Sequence, residues 1–400
     1  MKQVGWLLLL AMAATPAWPA AKKITSQQLK DMLTQMQQEK KSDEQVATEL
    51  MQVEVTEELT AGMLNSLGPL LPGQQSLAQA YVLEARSAML PPPASDVPGD
   101  PAPDAAGQKA ILDKAAGYVS GTYDQLPELT ATKTTIRFQD NMQTVASSSG
   151  MHGSASEADT SFGLGDTAQF FRFLGTADTA VESDKGIDKM PAEKDKTPWG
   201  ANRMIAPEEQ GPELNEVMKE APSGGKIEWL RWQNVNGVKT AVFSYSVEKK
   251  KAHYTVNYCC YPDTDQTGVA TFSSASLAGA RGGGGGGGGA HGNMQTNTSW
   301  KPWKSNVGYH GELFINPDTG IVVRMIHDAD LKSNDVVHQE EVRVDYAPVA
   351  VSGKTLVVPV KSFTNTEDVP KGEDYSGKFS TRHTLFYAEY KNYQQAGSGH

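Results

Sequence analysis

The chain is 400 residues long, 38% hydrophobic and 21% charged, which gives ample length for a sizeable core in a two-part architecture. Its formal net charge is -11, and Lys and Arg are nowhere clustered. That excludes nucleic acid as a partner, because backbone phosphates are bound by such clusters, and the short basic runs Lys40-Lys41 and Lys249-Lys250-Lys251 read as solvated turns.

In chain order, Lys2 precedes an apolar run from Val4 to Ala14 and then small residues. This is the layout of a secretory signal peptide over residues 1–21, cleaved after Ala17 or near Ala20. The run is well short of the roughly 20 residues needed to cross a bilayer, and no later segment reaches that length. A periplasmic or secreted protein that is not membrane-spanning is therefore expected. No Cys lies near the cleavage region, so lipid modification of the usual bacterial kind is not expected.

Residues 22–90 predict a small helical layer. Thr25 with Gln28 and Ser42 with Gln45 have capping-box spacing. Leu29, Leu33 and Met36 then fall on one helical face, as do Val46, Leu50 and Val53. Two further helices are expected at about 57–67 and 74–90. Residues 91–104, PPPASDVPGDPAPD, read as a stiff linker and a domain boundary. Residues 105–124 predict one more helix, with Ile111, Leu112, Ala115 and Tyr118 on one face. Leu129 to Gln139 then alternates with the period of two that a half-buried strand requires.

The rest of a domain spanning 105–393 reads as antiparallel strands between long loops. Residues 147–221 are mostly loop, with a strand near Phe170 to Leu174 and a short helix at Pro212 to Ala221. Strands 226–233 and 239–247 flank Asn236-Gly237, a two-residue hairpin signal because both positions tolerate positive φ. A strand at 252–261 follows. Residues 262–299 are a second long loop, and the glycine run from Gly282 to Gly289 reads as a mobile stretch. A phosphate cradle would need a strand before it, a helix after it and a Lys-Ser/Thr pair, so no cofactor is expected. Residues 306–363 form four consecutive strands, with turns at Asn316-Pro317-Asp318-Thr319-Gly320 and Ser352-Gly353. A last strand covers 381–390, and 394–400 is a tail. The fold class is α+β: the helical layer is followed by a curved antiparallel sheet, a half-barrel, with one helix ahead of it.

Few residues point to chemistry. His310, His327 and His338 lie on neighbouring strands near Glu312, Asp328 and Asp330, and the simplest register sets His310 opposite Asp328; a polar strand face accounts for them without a metal. No Gly-x-Ser-x-Gly elbow occurs, Ser154 being the nearest approach, so no catalytic residue is assigned. Only two cysteines exist, the neighbours Cys259 and Cys260. They fit two free thiols on opposite strand faces, a strained vicinal disulfide, or a redox or metal role. What remains is an apolar face, for which the candidate ligand-binding residues are Leu313, Ile315, Val323, Met325, Tyr245 and Trp229, although core packing is the ordinary role of each.

The segments Gly308-Tyr309-His310-Gly311-Glu312-Leu313, Asn316-Pro317-Asp318-Thr319-Gly320, Val344-Asp345-Tyr346-Ala347-Pro348-Val349 and Ser352-Gly353-Lys354 resemble a group of exported bacterial proteins of unknown function. So do Thr130-Ala131-Thr132-Lys133-Thr134 and His253-Tyr254-Thr255-Val256 with Cys259-Cys260. More distantly, the strand-turn-strand block is similar to the half-barrel of lipoprotein-localisation and lipoprotein-sorting proteins. That resemblance implies a curved sheet presenting an apolar concavity to acyl chains, and it assigns no functional residue. The expected function is an exported soluble binding protein for a hydrophobic small molecule or lipid, or for a lipid or peptide segment of an envelope protein. The alternatives are a non-catalytic cell-envelope interaction protein acting through its helical layer and, third, an exported hydrolase or metal enzyme.

Overall fold

A computed structural model of the chain describes residues 22–139, 172–184, 187–188, 213–263, 299–332, 335, 337–368 and 382–396. The expected signal peptide, Ser154 and the glycine run lie outside the described residues.

The first elements are β1 (Lys22–Ile24), α1 (Ser26–Gln38), α2 (Asp43–Met51), β2 (Val53–Val55), α3 (Ala61–Leu67) and α4 (Gln74–Ser87). Both capping boxes form, Thr25 with Gln28 and Ser42 with Gln45. Val53 does not continue α2: the alternating Val53-Glu54-Val55 instead pairs in parallel with β1, Lys22 opposite Val53 and Ile24 opposite Val55. These elements share a core containing Ile24, Leu29, Leu33, Leu50, Leu59 and Leu67. Asp43, at the start of α2, accepts hydrogen bonds from the backbone N–H groups of Gln75 and Ser76, each 3.0 Å. One carboxylate therefore serves the N-termini of two helices, where negative charge is favoured. A Cβ at residue 73 would lie 2.5 Å from Asp43 Oδ2, so any side chain there would displace that carboxylate.

The Pro-rich stretch is laid against the sheet edge. Trp232 Nε1 donates to the Pro101 carbonyl at 2.9 Å, and Lys239 pairs with Asp100 at 2.8 Å. It leads into α5 (Ala105–Gly121), capped by Asp104 accepting from Gly107 N–H at 2.7 Å.

The remaining elements are β3 (Leu129–Gln139), β4 (Arg172–Asp184), β5 (Ile187–Asp188), α6 (Leu214–Gly224), β6 (Lys226–Val235), β7 (Val238–Val247), β8 (Thr255–Asp263), β9 (Ser299–Asn306), β10 (Tyr309–Ile315), β11 (Val322–Ala329), β12 (Val337–Val351), β13 (Lys354–Asp368) and β14 (Arg382–Gln395). Ten of these strands form one antiparallel sheet in the order β5-β4-β3-β14-β13-β12-β11-β10-β7-β6, which does not close into a barrel. The outermost strand β5 has only two residues. Strands β8 and β9 make a separate antiparallel pair. The fold is thus α+β around a large antiparallel sheet. Positive φ at Asn236 (50°) and Gly237 (82°) gives the β6–β7 hairpin the mirror-image turn its twist needs. Asn316 Oδ1 accepts from the backbone of Asp318 and Thr319 in the β10–β11 turn, and Gly320 closes that turn at φ 76°.

Most of β4 falls where sequence predicts loop. Thr176 to Glu182 has no apolar period; it is a strand because it pairs with β3 along its length, with Thr134 Oγ1 donating to Asp178 at 2.6 Å.

Both faces of the sheet are covered. One carries the largest core, in which Ile111, Ala115 and Val119 of α5 and Leu214, Val217 and Ala221 of α6 meet strand side chains including Phe243, Leu313, Met325 and Val344. On the other, α4 brings Val82, Ala85 and Ala88 against Phe138, Phe363, Leu385 and Tyr387. Next to α4 the contact is ionic. Arg324 donates to Asp345 Oδ1 at 2.6 Å and to Glu58 Oε1 at 2.8 Å, while Arg343 reaches Asp345 Oδ2 and Glu58 Oε1, each at 2.9 Å. All four side chains are at most 8% exposed. Burial alone would push the Asp345 carboxyl up, but the two guanidiniums beside it hold it well below the usual carboxylate range. Lys361 adds a second ionic link, to Glu84 of α4 at 3.0 Å.

Removing one member of such a group strands its partners without water. Glu58→Gln or Arg343→Met should therefore lower unfolding free energy by about 3 to 5 kcal/mol, read from urea denaturation. Because Asp345 titrates lower folded than unfolded, its contribution is present above the unfolded value of about 3.9 and is lost as pH falls below it. Asp345→Asn should flatten the acid limb of the stability curve between about pH 4 and pH 2; an unchanged limb would refute this role.

Candidate functional site

The strand register gathers most of the predicted ligand-binding residues on the face covered by α5 and α6. Trp229, Phe243, Leu313, Met325 and Val344 are successive cross-strand partners from β6 to β12. The adjacent row runs Ile227, Tyr245, Gly311, His327 and Val342. Leu313, Ile315, Met325 and Tyr245 are buried in that core, and Trp229 is half-buried against it. Val323 does not join them. It lies at the bulge of the β10–β11 ladder and packs with Val235, Val242 and Phe314. Gly311 makes room for the row: a Cβ there would stand 2.9 Å from the Tyr245 hydroxyl, which donates to the Ile326 carbonyl at 2.8 Å.

Polar groups border this apolar field. His327 is fully buried, its ring edge-on to Tyr254 at 4.6 Å and tilted against Tyr309 at 5.2 Å. Burial pushes its pKa down to about 3, so the imidazole is neutral. Tyr254 in turn donates to Glu340 Oε2 at 3.1 Å. Glu220 on α6 accepts from the Tyr309 hydroxyl at 2.6 Å and from the backbone N–H of His253 at 3.2 Å, and it also meets His253 Nδ1. One carboxylate thus ties α6 to β10 and to the lead into β8. Burial first, and then the bond to Glu220, drives the Tyr309 hydroxyl far above its ordinary pKa. The hydrogen bond to Glu220 raises that of exposed His253.

Outside this tie lies an open cleft of about 460 Å³, lined by residues that include Glu213, Glu216, Lys219, Glu220, Lys251 and His253. Burial also raises the Glu216 carboxyl. Among the described residues no three His, Cys, Asp or Glu side chains are grouped to hold a metal.

The other predicted positions are scattered. His310 does face Asp328, with Nε2 to Oδ2 at 3.4 Å, and meets Asp330 at 2.9 Å. Alternation sets it on the face opposite His327, while His338 pairs elsewhere, with Glu367 at 3.6 Å. Burial lifts the Asp328 carboxyl to about 6. Cys259 and Cys260 sit where the β8–β9 ladder is interrupted between Tyr258 and Tyr261; their side chains lie outside those described. Sequence reading gave Glu220 and Glu340 no role in the site. Their only signal was a carboxylate on the apolar side of a short helix and one within a strand, and neither names its partner. No family model, curated protein or solved structure matches the chain.

Protonated His253 strengthens the tie, so its contribution is present below about pH 6.5 and is lost as pH rises through the higher folded value. In NMR titrations His253 should protonate above the ordinary imidazole range, and Glu220→Gln should bring it back down. An identical titration in that variant would show that the two groups are not coupled.

Proposed function

We propose that the protein is an exported binding protein that holds an acyl chain, another hydrophobic small molecule, or an apolar segment of a partner between the sheet and the helices α5 and α6. The observation that supports this most directly is the pair of cross-strand rows through Leu313 and Tyr245. They make a continuous apolar field on an unclosed sheet, roofed by two helices instead of a second sheet. In this reading the sheet curves as a half-barrel with that field on its concave side, and the helices of residues 22–90 form a layer on the convex side. The alternative, recruitment of partners through those helices, is less well supported. Glu58 and the apolar face of α4 are already engaged with the sheet.

Each methylene buried against such a field contributes about 0.8 kcal/mol, roughly a fourfold gain in affinity. Delipidated protein should therefore bind a fluorescent fatty acid saturably, and competition by saturated chains should tighten steadily from eight to fourteen carbons. Met325→Lys should abolish uptake. Val323→Ser, on the opposite face, should leave it intact and so controls for general damage. Folded protein that takes up no chain of any length would sink the proposal.

A further inference from the structure

The face under α5 and α6 is not apolar throughout. At the Thr366 and Thr384 end of β13 and β14 the same side of the sheet turns polar while staying buried, whereas farther along these strands Val358, Ala388 and Tyr390 keep it apolar. Glu340, Thr366 and Thr384 are successive partners on β12, β13 and β14. The next row continues from His327 and Val342 to Thr364, Phe386 and Arg137. Thr366, Glu340 and His327 are 0% exposed and Thr384 is 1% exposed.

Buried hydroxyl and imidazole groups almost always have hydrogen-bond partners, and those that lack them call for a reason. Here both ring nitrogens of His327 and the Oγ1 atoms of Thr366 and Thr384 have none. Three side chains on one side of four adjacent strands thus offer unmet donors and acceptors at the border of the field that runs through Met325 and Val344. Among the described residues the buried charges on this side are Arg137 on β3 and, towards α6, Glu340 and Glu220, and His327 is neutral because burial holds its pKa near 3. An ionised head group would have to shed its water, and His327, Thr366 and Thr384 offer it no charge in return. An uncharged group that both donates and accepts meets the same side chains without that penalty.

We propose that this polar corner receives the uncharged, hydrogen-bonding head of an amphipathic ligand, a polyol or ester, whose chain lies over the neighbouring apolar rows. The inference rests on the ligand reading above and specifies the chemical class of the ligand.

The test displaces a fluorescent fatty acid from the full-length protein at pH 7 with three probes of equal chain length: glycerol monolaurate, laurate and dodecylamine. The uncharged ester should bind at least tenfold more tightly than either ion. The Thr366→Val/Thr384→Val double variant should lose that preference while keeping laurate affinity within twofold. Its thermal midpoint should hold or rise, since two unpartnered hydroxyls are removed. If all three probes bind alike, or the double variant keeps the preference, the corner holds no head group and the inference fails while the chain-binding reading stands. If none of the probes binds, the chain-binding reading has failed and this inference goes with it.

Discussion

Two guanidiniums and two carboxylates sealed from water fix how the N-terminal helices sit on the sheet. Glu58 precedes α3, whereas Arg324, Arg343 and Asp345 stand side by side on β11 and β12. Placing four charges in the interior is expensive, and apolar residues of similar volume would often give equal or greater stability. What the quartet adds is geometry. An apolar patch tolerates sliding, but two forked donors sharing two carboxylates fit in one arrangement only. The rings of Phe314 and Phe363, 5.4 Å and 5.1 Å from the Arg324 and Arg343 guanidinium carbons, fill the space beside the charges. The apolar contact of α4 with Phe363, Leu385 and Tyr387 then supplies the non-directional part of the docking.

The two faces of the sheet differ in kind. On the quartet's face the four grouped charges are matched and hydrogen-bonded. On the other, α5 and α6 rest mainly on apolar contact, and Glu220 makes the chief polar tie, to Tyr309 and His253. Beyond that tie the covered face holds groups whose hydrogen-bonding capacity is unmet. The four charges of the quartet are paired, whereas on the other side of the sheet an imidazole and two hydroxyls have no hydrogen-bond partner.

Local features of the fold were legible wherever the deciding interaction is short in sequence. The capping boxes at Thr25 and Ser42, the Asn236-Gly237 hairpin, the Asn316 to Gly320 turn and the alternation of β3 each depend on residues within a few positions of one another. Val53 was misread because a β-branched residue at helical spacing from Leu50 fits either element, and its partner in β1 lies far back in the chain. Most of β4 was missed because it is stabilised by its ladder with β3 and not by an apolar period of its own. In the candidate site, Leu313, Ile315, Met325, Tyr245 and Trp229 could be gathered from alternation. The bulge that sends Val323 to the other face shifts the register at a single step, and nothing in the residues nearby marks it.

By itself the sequence determined an acidic chain, its helices and the caps of two of them, most of its antiparallel strands, and a supply of apolar residues alternating on them. Those properties follow from backbone preferences and periodicity, which act over a few residues. Only the tertiary structure decided that the sheet stays open, that Glu58 meets Arg324 and Arg343, that Glu220 joins Tyr309 and His253, and that His327, Thr366 and Thr384 share one buried side. Each of those outcomes depends on the order in which strands pair and on groups brought together from distant parts of the chain. A carboxylate or an imidazole has the same local signature whether it ends in water or in the core, and only the folded neighbours determine which.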